Sequence, residues 1–194
     1  MKKFLTLLLT AAMTLSLSAG GSKNDGNANG DDSQPADALA LLNTVWSSYA
    51  DDDKFAVVGG DYDEANMTED APGRFGMEDG DTLDSMLGFP AADADKLTDA
   101  ASLSHMMNAN TFTAGAFHVT NSSDVDTVVS DLKDNIMNRQ WMCGFPDKLI
   151  VAEVGDEYVV TVFGADELLD TFMTHLKGIY GDHAVHTAYD EAIL

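Results

Sequence analysis

The chain has 194 residues, of which 10 are Lys or Arg and 33 are Asp or Glu, so its formal net charge is −23. A chain this acidic repels phosphate groups, which excludes unaided binding to nucleic acid and direct binding to anionic membranes. Apolar residues make up 45% of the chain, which is enough to bury a core, so we expect a folded domain.

The first 20 residues have the pattern of a secretory signal peptide. Lys2 and Lys3 precede an apolar run over residues 4–17 that is too short to span a bilayer, and small residues follow it. We therefore predict an extracytoplasmic protein, either secreted or associated with the cell envelope. The segment 17–22 also resembles a bacterial lipoprotein signal with Gly20 in the place of the lipidated Cys, so a lipid anchor is expected only if Gly20 replaces a native Cys.

Residues 21–36 are rich in Asn, Asp, Gly and Ser and predict a flexible polar linker, followed by one domain over residues 37–194. Apolar residues at helical spacing over 37–49, with Asp37 as the N-cap, predict a first helix. Residues 51–80 lose this periodicity and predict a long acidic loop with a brief strand at 55–58. Short helices are expected at 82–87 and at 92–101.

The remainder, residues 105–180, has stronger patterns and is the predicted core of the domain. Alternation over residues 111–120 predicts a strand. An apolar stripe after Ser122 and Ser123, which are candidate caps, predicts a helix that continues to about Met142.

A hairpin and a final helix complete this core. Residues 149–154 and 158–163 flank the turn Gly-Asp-Glu and predict the hairpin, and residues 165–177 predict the helix. The predicted fold is α+β, a small and mostly antiparallel sheet with helices on one face, in the order α, loop, β, α, β, β, α. Beyond residue 180 the chain has only a weak helical pattern.

Five short features between residues 83 and 180 carry a resemblance to a known family. They are Leu87-Gly88-Phe89-Pro90, Met106-Met107-Asn108-Ala109, Ala116-Phe117-His118-Val119, the helix start at Asp124, and Val159-Val160-Thr161-Val162 followed by Asp166-Glu167. Together they resemble an uncharacterised family of secreted lipoproteins from anaerobic Gram-positive bacteria. Because such proteins are sometimes labelled bacteriocin transport accessory proteins, the resemblance implies an accessory role in peptide export. It implies no catalytic residues.

Cys143 is the only cysteine, and its surroundings resemble the Trp-Cys-Gly-Pro-Cys motif of thioredoxin-like proteins. Pro146 stands where the second cysteine would be, so the chain cannot form the intramolecular disulfide of that motif. The favoured interpretation is a buried Cys at the end of a helix, and an exposed Cys143 is the condition for a thiol-dependent role. Trp141 and Phe145 are expected to plug the core rather than to line a ligand pocket.

Three groups of residues are candidate metal ligands. Met and His suit copper, His suits zinc, and carboxylates suit calcium. The spacing of these residues favours core packing for the Met residues and a solvated surface for the acids. A weak calcium site in the acidic loop remains an alternative. The groups are His105, Met106, Met107, Met137 and Met142 for copper; His175, His183 and His186 for zinc; and Asp51, Asp52, Asp53, Asp61, Asp63, Glu64, Glu78, Asp79 and Asp81 for calcium.

The chain contains no nucleophile elbow, metalloprotease helix, phosphate loop or dinucleotide-binding turn. We therefore predict an exported, non-catalytic binding module whose partner is an extracytoplasmic protein, a peptide or a wall component, and assign no catalytic, cofactor or metal residues. The alternatives are a peptide-export accessory protein, thiol-dependent or not, and a hydrolytic enzyme with its site in residues 51–80. An enzyme requires a pocket where acids with raised pKa converge, whereas a binding module presents its acids to solvent.

Overall fold

An antiparallel sheet of eight strands forms the centre of the protein in a computed structural model, which describes residues 34–142 and 144–193. The strands are β1 (Val57–Gly59), β2 (Thr68–Glu69), β3 (Gly73–Arg74), β4 (Leu97–His105), β5 (Phe112–Val119), β6 (Lys148–Val154), β7 (Tyr158–Gly164) and β8 (Val185–Ala192). Their order across the sheet is β2-β1-β4-β5-β7-β6-β8, and β3 pairs with β4 beside β1. The helices are α1 (Ala38–Ser47), α2 (Gly80–Leu87), α3 (Val125–Met137) and α4 (Asp166–Tyr180).

The central strands β5 and β7 are apolar on both faces. Neighbouring residues Val159 and Val160 of β7 are both buried, yet they belong to two different hydrophobic clusters on opposite sides of the sheet. Helices α1 and α4 complete one cluster, and α2 and α3 complete the other. A sheet with two apolar faces is stable only when both are covered, which is why the helices divide between them.

The predicted α+β class and the antiparallel sheet are confirmed, but the placement of the helices on one face was wrong. The alternation predicted for β5 is confirmed, since Phe112 and Ala114 face the α1/α4 cluster and Phe117 faces the α2/α3 cluster. The hairpin of β6 and β7 is also confirmed, and Gly155 provides the positive φ of +62° that its turn requires.

The predicted helix over residues 92–101 was wrong. A 3₁₀ turn covers Ala91–Lys96, and from Leu97 the chain forms β4, which lies between β1 and β5. The Ala and Ser residues of β4 have little preference for strands, so the segment has no local signal for its structure. Its strand conformation depends on pairing with β5, which extends from Leu97↔Val119 to Ser104↔Thr113.

The end of α3 and the conformation of the C-terminal tail also differ from the sequence-based expectation. The helix after Ser122 ends at Met137 rather than near Met142, and the turn Ser122–Asp124 shows no side-chain capping bond. The weakly helical tail forms the edge strand β8, which pairs with β6 from Val154↔Val185 to Lys148↔Ala192. The first helix agrees with the prediction, because the Asp37 carboxylate caps it by accepting a hydrogen bond from the Ala40 amide at 2.6 Å.

Candidate interaction surface at one end of the sheet

Six large apolar side chains are exposed among the described residues, and four of them lie at one end of the sheet. Met106 is 45% exposed, Met107 82%, Met142 81% and Phe145 70%. We call these four residues the end patch. Exposed apolar groups are ordinary when scattered, whereas several on adjoining loops form a candidate interaction surface.

The fold brings the two loops of the end patch together through the strand register. Phe112 of β5 and Lys148 of β6 both pair with Gly164, so the loops that precede these strands leave the sheet at the same end. The Asn110 side-chain amide then links the loops, because it donates to the carbonyl oxygens of Met142 and Gly144 at 3.0 Å each. This contact joins residues more than thirty positions apart.

The expectation that Met106, Met107 and Met142 pack in the core was wrong, as was the expectation that Phe145 plugs it. After Met137 the chain leaves the helix, and its next aromatic residue to contact the core is Trp141, whose ring lies 5.3 Å from that of Phe163. Met137 does pack against the α2/α3 cluster. Trp141 packs against this edge of the core, whereas the ring of Phe145 is exposed to solvent.

Acidic residues border the end patch. Asp147 follows Phe145 by two positions and is exposed, and its amide donates to the Gly164 carbonyl at 2.9 Å. The first turn of α4, with Asp166 and Glu167, lies against the β4–β5 loop because the Ala165 amide donates to the Thr111 carbonyl at 2.9 Å.

A third acidic segment, Asp51–Asp53, lies close to the β4 side of the patch. The ring of Phe55, two residues later, stacks on that of His105 at 5.7 Å, and the Met106 amide donates to the Ala56 carbonyl at 3.0 Å. The basic residues nearby are already paired with acids: Lys54 with Asp51, Arg139 with Asp84, and Lys148 with Asp170 and Asp190. The surroundings of the end patch therefore carry a net negative charge.

Cys143 lies outside the described residues, so a thiol-dependent role stays a prediction. Its neighbour Trp141 is half-buried, and the indole N–H has no hydrogen-bond partner among the described residues.

The His, Asp and Glu candidates do not converge on a metal site among the described residues, whereas three of the copper candidates, Met106, Met107 and Met142, belong to the end patch. Within residues 34–142 and 144–193, no group of three or more His, Cys, Asp or Glu side chains is arranged to hold a metal ion. His105 accepts hydrogen bonds at Nδ1 from the Met107 and Asn108 amides, at 3.2 and 3.3 Å, so this nitrogen organises the loop. His175 contacts Ser48, whereas His183 precedes β8 and His186 lies on it, so the zinc candidates are spread over different elements.

The acidic loop contains a shallow cavity of about 200 Å³, but its carboxylates mainly stabilise the loop itself. Asp61 accepts hydrogen bonds from the amides of Asp63 and Gly76, both at 2.7 Å, and from the side chain of Asn66 at 2.9 Å. Asp79 caps α2 and accepts from the Thr82 hydroxyl at 2.7 Å, which lowers the pKa of Asp79. A general acid needs the opposite shift.

Within residues 34–142 and 144–193, the carboxyl group with a raised pKa lies outside the acidic loop. Burial, followed by a hydrogen bond with Asp93, raises the pKa of Asp131 on α3. This pair is outside residues 51–80, and Asp93 also binds Lys96 at 2.6 Å, so it links the turn before β4 to α3.

Sequence reasoning missed one contact between reactive residue types. The Ser48 hydroxyl lies 2.7 Å from Nδ1 of His175, whose ring stacks on Tyr49 at 4.1 Å. The same hydroxyl donates its proton to the Val45 carbonyl at 2.7 Å, so it accepts from His175 rather than donating to it. A nucleophilic Ser needs the reverse arrangement, and the contact joins the end of α1 to α4 instead.

Comparisons with models of known families, with curated proteins and with solved structures found no match. Of the helices described, none combines the length and the apolar character that crossing a bilayer requires.

Proposed function

We propose that the protein is an exported, non-catalytic binding module that recognises its partner through the end patch. The exposure of four large apolar side chains on two loops tied together by Asn110 carries this proposal. Apolar groups held on adjoining loops at the end of a rigid sheet are a common arrangement for binding surfaces.

Two further features support a binding module. The described residues contain 30 acidic and seven basic side chains, a balance that keeps the surface soluble and disfavours nucleic acid and anionic lipid as partners. Three of the four carboxylates that line the acidic cavity, those of Asp61, Asp63 and Asp79, accept hydrogen bonds that fix the loop or cap α2. An extracytoplasmic protein, peptide or wall component is therefore the proposed class of partner.

A pull-down tests the binding function. The protein without residues 1–20 is immobilised and exposed to cell-envelope extract, alongside the variants Met107→Gln/Phe145→Gln and Tyr62→Gln/Met67→Gln. The second variant is a matched control, because Tyr62 and Met67 are exposed apolar residues outside the end patch. We expect the wild type and the control to retain the same partner and the patch variant to lose it. Equal retention by all three proteins contradicts the proposal.

The proposed location outside the cytosol rests on residues 1–20 and needs its own experiment. We expect fractionation to recover a chain shortened near Gly21 from the medium or the cell envelope. Recovery of the full-length chain among intracellular proteins would contradict this part of the proposal.

A further inference from the structure

The end patch has a composition suited to an apolar polypeptide segment. Three of its four side chains are Met, whose flexible thioether can adapt to aliphatic groups of different shapes, and the fourth is the aromatic ring of Phe145. Because these side chains are 45–82% exposed, they do not enclose a small molecule. They fit instead a partner that contributes its own apolar surface, such as one face of a helix.

The charge around the end patch restricts which apolar partner can approach. Asp51–Asp53, Asp147, Asp166 and Glu167 lie on the segments that carry or border it, and the neighbouring bases are already paired. A second copy of this chain would bring an equally acidic surface, and an anionic bilayer would also be repelled. A segment that combines apolar and basic residues gains from both features of the surface.

We propose that the end patch binds a cationic amphipathic peptide segment, with the apolar side of the segment on Met106, Met107, Met142 and Phe145 and its basic residues toward the surrounding carboxylates. The inference rests on the proposed function and adds the chemistry of the partner. The apolar contacts hold the segment in place, while the charges accelerate its approach and select it against acidic or neutral segments.

A defined peptide tests this chemistry without knowledge of the natural partner. The probe is a fluorescein-labelled peptide of about 14 residues, with Leu and Lys at helical spacing so that Leu occupies one face. Two control peptides have the same composition with Leu dispersed around the helix, or Glu in the place of Lys. Fluorescence anisotropy with the protein lacking residues 1–20 gives the affinity for each peptide.

The protein variants separate patch binding from attraction to the overall negative charge. We expect Met107→Gln/Phe145→Gln to weaken binding of the amphipathic probe about tenfold or more, and Tyr62→Gln/Met67→Gln to change it less than about twofold. Thermal unfolding of each variant checks that the fold is retained.

The carboxylates are tested by two variants of equal net charge. Asp52→Asn/Asp53→Asn/Asp147→Asn removes charge near the end patch, and Asp95→Asn/Asp126→Asn/Asp156→Asn removes three exposed charges from the opposite end of the sheet. We expect the first variant to weaken binding by about threefold or more and to reduce its salt dependence, and the second to change both much less.

Three results would overturn the inference: equal binding of the amphipathic and Leu-dispersed peptides, binding unaffected by the patch variant, or no binding of the probe. If the probe fails while the end patch is still needed to capture a partner from envelope extract, the partner chemistry is wrong and the binding function stands. Failure of both experiments removes both proposals.

Discussion

Arg74 is expected to contribute more to stability than any other exposed base of this acidic protein, because it joins the start of α1 to the sheet. Its guanidinium binds Asp37 at 2.9 Å and also binds Asp99. The Asp37 carboxylate caps α1 by accepting a hydrogen bond from the Ala40 amide, and the Asp99 carboxylate accepts one from the Ala38 amide at 2.6 Å. Replacing Arg74 by Met removes both ion pairs and retains most of the apolar stem.

The magnitude follows from the exposure of the two carboxylates. The Asp37 side chain is 38% exposed, so solvent limits that pair to about 0.5 kcal/mol. The Asp99 side chain is only 12% exposed. In the Arg74→Met variant its charged carboxylate would lack one hydrogen-bond donor, which lowers the free energy of unfolding by about 1–2 kcal/mol. We therefore expect Arg74→Met to lower the free energy of unfolding by about 2 kcal/mol, equivalent to roughly 4–8 °C in Tm.

Urea unfolding at pH 7 measures this loss, with Lys54→Met as the matched control. Lys54 pairs at 3.7 Å with a fully exposed Asp51, so its removal has the same effect on net charge and should cost less than about 0.5 kcal/mol. Equal denaturation midpoints for the two variants would refute the reasoning.

The pH dependence provides a second check. The Ala40 amide and Arg74 hold the pKa of Asp37 below its ordinary value, so the folded state binds its proton less tightly than the unfolded state. The stability from this shift is present above the unfolded pKa of about 3.9 and is lost as the pH falls through the folded value. The difference in the free energy of unfolding between the wild type and Arg74→Met should therefore become smaller below pH 4. A constant gap would indicate lost packing instead of lost charge.

Three further substitutions test other parts of the structure by urea unfolding. Gly88→Ala should cost about 2–4 kcal/mol, because Gly88 has a φ of +70° and a Cβ there would lie 2.4 Å from Ile136 Cγ1. Gly178→Ala should instead stabilise by about 0.5–1 kcal/mol, since Gly178 lies within α4 with nothing within 4 Å of a Cβ, and a loss would contradict this. Asp131→Asn should raise stability at pH 7 but not at pH 3: burial and Asp93 raise the pKa of Asp131, so its ionised form is penalised in the fold, and a lower midpoint at pH 7 would refute this.

Local patterns in the sequence predicted the elements whose structure depends mainly on local interactions. The apolar spacing and cap of α1, the alternation of β5 and the Gly turn of the β6–β7 hairpin were all identified correctly. In each case the residues that determine the conformation are within a few positions of one another, so their periodicity and turn chemistry are visible in the sequence.

β4 and β8 could not be predicted in this way. β4 consists largely of small residues, and β8 alternates weakly because it lies at the edge of the sheet, so both depend on pairing with strands elsewhere in the chain. The division of the helices between two faces is equally non-local, because it depends on which strands occupy the centre of the sheet.

The end patch likewise combines features that are visible in the sequence with features that depend on contacts between distant segments. The strong negative charge and the Met and Phe residues of two short segments are visible in the amino-acid sequence. Their exposure and the meeting of the two loops depend on tertiary contacts, because Trp141 packs against Phe163 at the edge of the core and Asn110 joins the loops. Burial and contact between distant segments are properties of the folded chain, and no local pattern of residues encodes them.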